Sequence, residues 1–226
     1  MPPRALSKSV EDYLKAIYGL SQGSDSASTT AIAEALEIQP ASVTGMIKRL
    51  AAIGLLEHVP YRGVRLTKPG ESEALRVLRR HRILETYLCG RLGYHWDDVH
   101  AEAERLEHAA SDELIEHMAD ALGFPSHDPH GAPIPSKAGE IETIDLATLA
   151  DAAPGARVRI RAVRDEEADE LRSMAADGLV PGVSIRVDEG PDREGVVHVV
   201  VGGEGGASLV VENDLAGRIY VVPEDS

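Results

Sequence analysis

Residues 31–53, AIAEALEIQPASVTGMIKRLAAI, read as two short helices separated by a tight turn. Thr30 is placed to cap the first, whose apolar residues are Ile32, Ala33 and Leu36. EIQP makes the turn, and Ala41 to Ile53 forms the second helix, with Val43, Met46, Ile47 and Leu50 at inward-facing spacings before Gly54 ends it. Upstream, Ser9 to Leu20 sets Val10, Leu14, Ile17 and Tyr18 on one helical stripe, and the Ser/Gly-rich run SQGSDSAS stops that helix. Downstream, Leu55–Val59 and Val64–Thr67 read as strands joined by Pro60-Tyr61-Arg62-Gly63, a hairpin with basic side chains. Helix, helix, turn, helix and hairpin in this order predict a winged helix-turn-helix over residues 1–75, whose last helix suits the DNA major groove.

Outward from that core, residues 76–142 are predicted to form a helical domain. Helical stretches run from Gly70 to Cys89, from Trp96 past Arg105, and from Ser111 to Leu122. The connector GFPSHDPHGAPIPSKAGE leads to residues 143–226, where the Val/Ile-rich runs VRIRAV, SIRVDEG, VVHVVVGG, ASLVV and RIYVV predict a small antiparallel barrel. The fold class is therefore mainly α with a β-barrel C-terminal domain. A lone cysteine, Cys89, excludes an intramolecular disulfide or a thiolate cluster, and any metal here uses oxygen and nitrogen ligands. No stretch approaches the roughly 20 apolar residues needed to span a bilayer, and the first residues lack a signal-peptide pattern, so a cytoplasmic protein with no membrane partner is expected.

The net charge of −15 argues against a nucleic-acid partner until it is divided along the chain. Residues 1–82 carry 12 Lys/Arg against 8 Asp/Glu, whereas the remaining 144 carry 11 against 30. A basic first part meeting DNA and an acidic later part with another task fit that asymmetry. In the helical zone His81 and Glu85 are one turn apart, and His100, Glu104, Glu107 and His108 recur at three- and four-residue spacings. Carboxylates this close repel unless protons or a cation neutralise them, which a divalent metal achieves. The bland alternative is a solvated helix face, and spacing alone does not separate the two.

The ordered segments YLKAIY, IAEALEIQPASVTGMIKRL, LTKPG, RRHRILE, VHAEAERLEH, SDEL and DPHGAPIP resemble the diphtheria-toxin-repressor family of metal-dependent regulators, and the resemblance covers residues 8–135. The tail resembles that family's SH3-like third domain. The resemblance implies one metal site from Asp12, Glu104, Glu107 and His108, and a second from His81, Glu85 and His100, completed by Glu167 and Glu170 of the acidic run DEEADE. In the iron-responsive branch the positions of Asp12 and Glu104 hold methionine and cysteine. Two carboxylates there instead resemble the manganese transport regulators, and hard oxygen ligands suit Mn2+, with Fe2+ as the alternative. The manganese branch also has an acidic residue where this chain has Lys15, which implies one ion at that site rather than a bridged pair.

These residues imply a metal-activated regulator, expected to be a repressor of metal-homeostasis genes, that binds palindromic double-stranded operator DNA as a homodimer. Metal held by Asp12 and by the helical zone would favour one orientation of the winged domain. DNA contacts are expected from Gln39, Pro40, Ala41, Ser42 and Thr44, with Lys48 reaching phosphate and Arg62 and Arg65 on the wing. Tyr94 and Trp96 are expected to pack at the helical interface, Cys89 to be buried, and His127 and His130 to pack locally without a role. Two rivals belong to other classes: a di-metal carboxylate/histidine enzyme, and a winged-helix regulator answering to an organic ligand.

Overall fold

The computed structural model describes residues 6–22, 26–143, 146–164, 168–190, 195–203 and 205–224, which form two compact units. The first unit, residues 1–81, 106–112 and 135–140, contains the winged domain. Its helices are α1 (Lys8–Ser21), α2 (Thr29–Ala35) and α3 (Pro40–Ala52), followed by the hairpin β1 (Leu56–Val59) and β2 (Gly63–Leu66). Leu14, Ile17, Ile32, Val43 and Leu50 are withdrawn from solvent in one shared core. Each such side chain contributes about 1.5–3 kcal/mol by burial. The cap of α2 is Ser28 rather than the expected Thr30: Ser28 Oγ accepts from Ala31 N at 3.1 Å, and Thr30 lies inside the helix. Pro40 opens α3, where its missing N–H costs nothing. The wing is tied to the segment before α2 by reciprocal Ala27–Val64 backbone hydrogen bonds of 2.8 and 3.0 Å. Gly63 permits this approach, because a Cβ there would lie 2.0 Å from the Ala27 carbonyl oxygen.

A single long helix, α4 (Lys68–Leu92), supplies residues to both units, and α5 (Val99–Leu106) and α6 (Asp112–Ala121) follow it. Trp96 lies ahead of α5 instead of inside it, and the second unit packs it against the core of the C-terminal sheet. Tyr94 is largely exposed and Cys89 is only partly buried, both departures from expectation. The C-terminal sheet is antiparallel, with strands β3 (Arg157–Val163), β4 (Ser184–Glu189), β5 (Val196–Val201), β6 (Ala207–Glu212) and β7 (Ile219–Pro223) in the order β6-β5-β4-β3-β7. Alternate residues such as Val158 and Ile160, and Ile185 and Val187, fill its core. Two helices, α7 (Ala168–Ala176) and α8 (Asn213–Ala216), interrupt the strands. Where only strands were expected, α7 forms because Leu171 and Met174, three residues apart, bury one face. No helix among the described residues is long and apolar enough to cross a membrane.

Candidate metal centre and DNA-contact surface

Within the first unit, α1 supplies Glu11, Asp12 and Lys15, α4 supplies Arg80 and His81, and Glu107 and His108 stand just past the end of α5. Asp12, Glu107 and His108 each offer a ligand atom, all within 4.8 Å of one another. His108 Nε2 lies 2.7 Å from Asp12 Oδ1 and 3.2 Å from Glu107 Oε1. Glu107, completely buried, accepts from Lys15 Nζ at 2.9 and 3.1 Å and faces His81 Nδ1 at 2.6 Å. Burial opposes ionisation of Glu107, but His81 and Lys15 together outweigh it and hold this carboxyl below its ordinary value. Glu11 closes the set, 2.6 Å from both Arg80 Nη2 and His108 Nδ1.

This arrangement fits a divalent cation. His108 Nε2 is buried, makes no hydrogen bond, and faces two carboxylates. Three carboxylates are gathered here against two permanent cations, Arg80 and Lys15. An ion accepting oxygen and nitrogen donors would satisfy both the orphaned nitrogen and the excess negative charge. Glu104 lies on α5 one turn before Glu107 and His108.

A second cluster lies wholly within the other unit. Glu85 Oε1 is 3.1 Å from His100 Nδ1, while Glu85 Oε2 is 4.0 Å from His130 Nδ1. His100 Nε2 lies 3.8 Å from Glu104 Oε1. Glu85, Asp128 and His130 form a three-residue group with ligand atoms within 4.8 Å of one another. The connector shapes this group: Asp128 Oδ1 accepts from the backbone N–H of His130 at 2.9 Å and of Ala132 at 3.0 Å, an Asx-type turn. His130 Nε2 donates to the Trp96 carbonyl at 2.8 Å, which leaves Nδ1 as the ring nitrogen facing Glu85. Burial first, and the Glu85 charge second, raise the Asp128 carboxyl above its ordinary value despite Arg82 nearby.

Asp128 and His130 are the functional candidates that the sequence did not reveal: His130, expected only to pack locally, lies with Asp128 beside Glu85. The available signal was an acid and an imidazole two residues apart in a turn-forming connector, with nothing to show that Glu85 would meet them. Gly131 lets the turn approach β3, since a Cβ there would lie 2.2 Å from the Arg161 carbonyl oxygen, and Val163 N donates to His130 O at 2.9 Å. Glu170 pairs with Arg218 at 2.5 Å, and Glu167 lies outside the described residues.

On the winged domain, Gln39, Pro40, Ala41, Ser42, Thr44 and Lys48 are all exposed along the start and outer face of α3. Thr44 Oγ1 donates back to the Pro40 carbonyl at 3.2 Å, which orients its methyl group. Arg62 and Arg65 are exposed on the wing, with Arg65 paired to Glu57 across the hairpin. Tyr61, at the tip between Pro60 and Arg62, is fully exposed at a positive φ of 64°.

Three family models match the chain in sequence order. They are the iron-dependent repressor N-terminal DNA-binding domain over residues 5–64, the iron-dependent repressor metal-binding and dimerisation domain over 67–136, and the FeoA domain over 147–223. The diphtheria toxin repressor of Corynebacterium diphtheriae is 30% identical over 227 residues, covering 96% of this chain and 97% of that protein. The transcriptional regulator MntR of Oceanobacillus iheyensis is 34% identical over 116 residues, covering 51% of this chain and 78% of its own length. A solved manganese-dependent transcriptional repressor in complex with manganese superposes with a TM-score of 0.89 at 36% identity, covering 95% of this chain and 100% of that one.

Proposed function

Since the chain belongs to the diphtheria-toxin-repressor family of metal-dependent regulators, we propose that Mn2+ is the effector that turns it into an operator-binding homodimer. It is a DNA-binding, metal-dependent transcriptional repressor and not an enzyme, which removes the di-metal catalyst as a reading of the His/Glu clusters. The regulating ion is held by Asp12, Glu107 and His108, with Glu104 as the fourth ligand. The observation that carries this assignment is the convergence of Asp12, Glu107 and His108 with oxygen and nitrogen donors only. Hard donors without sulfur suit Mn2+, although Mn2+ stands at the weak end of the general affinity order. Fe2+ is the competing effector, favoured by the description of the matching family models.

Lys15 supports a single ion at this centre, because its ammonium already neutralises the carboxylate that a second ion would share. The second ion is assigned to His81, Glu85 and His100, completed by Glu167 and Glu170, and Asp128 and His130 are added as donors from the group they form with Glu85. When bound, the regulating ion supplies charge neutralisation between α1 and the segment after α5. Asp12 then holds α1 in one orientation, and the recognition helices of a two-fold dimer reach major grooves about 34 Å apart. Exposed Leu92 and Leu114 on α4 and α6, with Tyr94 and Phe124 just past the ends of those helices, support a homodimer. The dimer is assigned to the cytoplasm, where operator DNA is found, with Gln39, Pro40, Ala41, Ser42, Thr44, Lys48, Arg62 and Arg65 as its DNA contacts.

Anaerobic titration of Mn2+ and Fe2+ into the full chain with a self-selected genomic DNA fragment, followed by fluorescence anisotropy, tests this reading. Mn2+ is expected to activate binding at the lower free concentration, with Asp12→Ala and Glu104→Ala unresponsive. Activation by Fe2+ at lower concentration would transfer the assignment to iron. Binding indifferent to both metals and to chelator would sink the switch.

A further inference from the structure

Glu11 has no place among the expected ligands, yet it is a firmly held carboxylate on α1. It is almost fully buried, and its two oxygens serve two partners: Oε1 accepts from Arg80 Nη2 at 2.6 Å, and Oε2 lies 2.6 Å from His108 Nδ1. Arg80 is itself buried on α4, with Nη1 3.6 Å from Asp112 Oδ1. A carboxylate facing a guanidinium offers only lone pairs to its other neighbour, so the hydrogen in the Glu11–His108 contact sits on Nδ1. With Nδ1 committed to Glu11, Nε2 is the nitrogen that a neutral ring has left for a metal, and it is buried, without a hydrogen bond, 2.7 Å from Asp12 Oδ1. Adjacent residues on one helix thus grip opposite edges of the same imidazole.

We infer that Glu11 is the positioning residue of the metal centre. It fixes the tautomer and ring orientation of His108 so that Nε2 is the ligand nitrogen, and through Arg80 it fastens that setting to α4 before any metal arrives. This rests on the metal-responsive reading above. Carboxylates that accept from the non-ligating nitrogen of a ligand histidine raise its basicity and hold its orientation, and losing one costs 10- to 100-fold in metal affinity. The inference also divides the labour on α1, since Glu11 holds the helix to its neighbours without metal and Asp12 responds to it.

The test uses the full chain without DNA, with Mn2+ as the probe and calorimetry as the readout, on Glu11→Gln, Glu11→Ala and Asp12→Ala. Glu11→Gln keeps the side-chain shape, and thermal melting of each metal-free variant checks that it folds. The two Glu11 variants are expected to bind Mn2+ about 10- to 100-fold more weakly with the same number of ions at saturation, while Asp12→Ala loses an ion. Nitrogen-15 NMR of the metal-free protein gives a second readout. His108 is expected to carry its hydrogen on Nδ1 in the wild type and to shift toward the Nε2–H tautomer in Glu11→Ala. Wild-type Mn2+ affinity together with an unchanged tautomer in Glu11→Ala overturns the inference. If Asp12→Ala and His108→Ala also bind Mn2+ like wild type, the metal-centre reading itself fails, and the tautomer result alone then decides whether Glu11 orients His108.

Discussion

The two carboxylate–histidine clusters are made of the same residue types but are neutralised differently. Around Glu107 a cation is built in: Lys15 lies against it, His81 Nδ1 faces it, and its carboxyl stays below the ordinary range although it is completely buried. Around Glu85 the balance is reversed, since Asp128 is raised by burial and by Glu85, with Arg82 as the opposing cation. A cluster with its own cation is folded and waiting before an ion arrives, whereas a cluster of mutually repelling acids has more to gain from one. The first suits a switch that must exist without metal, and the second suits a site that metal consolidates.

The largest difference between the clusters is expected at a thiol. Cys89 reports on the second cluster, because burial and then the Glu85, Asp128 and Asp97 charges push its thiol up to about 11. Two units above the ordinary value of 9.0 lower the thiolate fraction about 100-fold at pH 8, so iodoacetamide should modify native, metal-free Cys89 about that much more slowly than an unfolded control. Saturating Mn2+ should raise the rate by neutralising Glu85 and Asp128. Rapid alkylation without metal would contradict the charge distribution described for this unit.

Thermal or urea unfolding of chelated variants compares the clusters directly. Glu107→Gln should destabilise the metal-free protein by about 3 kcal/mol, because it strands Lys15 and His81 beside a buried neutral group. Asp128→Asn keeps the oxygen that caps the His130–Ala132 turn and removes one of two repelling acids. It should therefore stabilise the metal-free protein while weakening its metal binding. Equal signs for the two substitutions would erase the distinction between the clusters.

The smallest effect belongs to the half-exposed Asp112, which bonds Arg76 and is lowered chiefly by that hydrogen bond. A depressed carboxylate contributes stability above its ordinary titration range and loses it as pH falls through the folded value. Asp112→Asn should cost less than about 1 kcal/mol at pH 7, and the difference from wild type should shrink in melts as pH falls below the ordinary carboxylate value and disappear below the folded one.

Much of this was legible from periodicity. The apolar spacing of α1 and α3, the glycine after α3 and the Pro-Tyr-Arg-Gly turn are local signals, and the winged motif follows from them. Helical spacing brought out His81, Glu85, His100, Glu104, Glu107 and His108, and the family resemblance added Asp12. Neither revealed Glu11, because an acid beside an acid carries no pattern, and its role depends on Arg80, 69 positions away. Asp128 and His130 were hidden for the same reason, since their partner Glu85 lies on another element. Helix α7 was obscured by its acidic start, where charge dominates the composition although Leu171 and Met174 decide the packing.

The most direct test of the account is amide hydrogen exchange along α1, Lys8–Ser21, in the full chain with and without Mn2+, for wild type and Asp12→Ala. If metal held by Asp12, Glu107 and His108 fixes this helix, Mn2+ should slow exchange across α1 in the wild type and leave the Asp12→Ala protein unchanged. An α1 whose exchange ignores Mn2+ in the wild type, or responds equally in Asp12→Ala, would contradict the claim that this cluster is the switch.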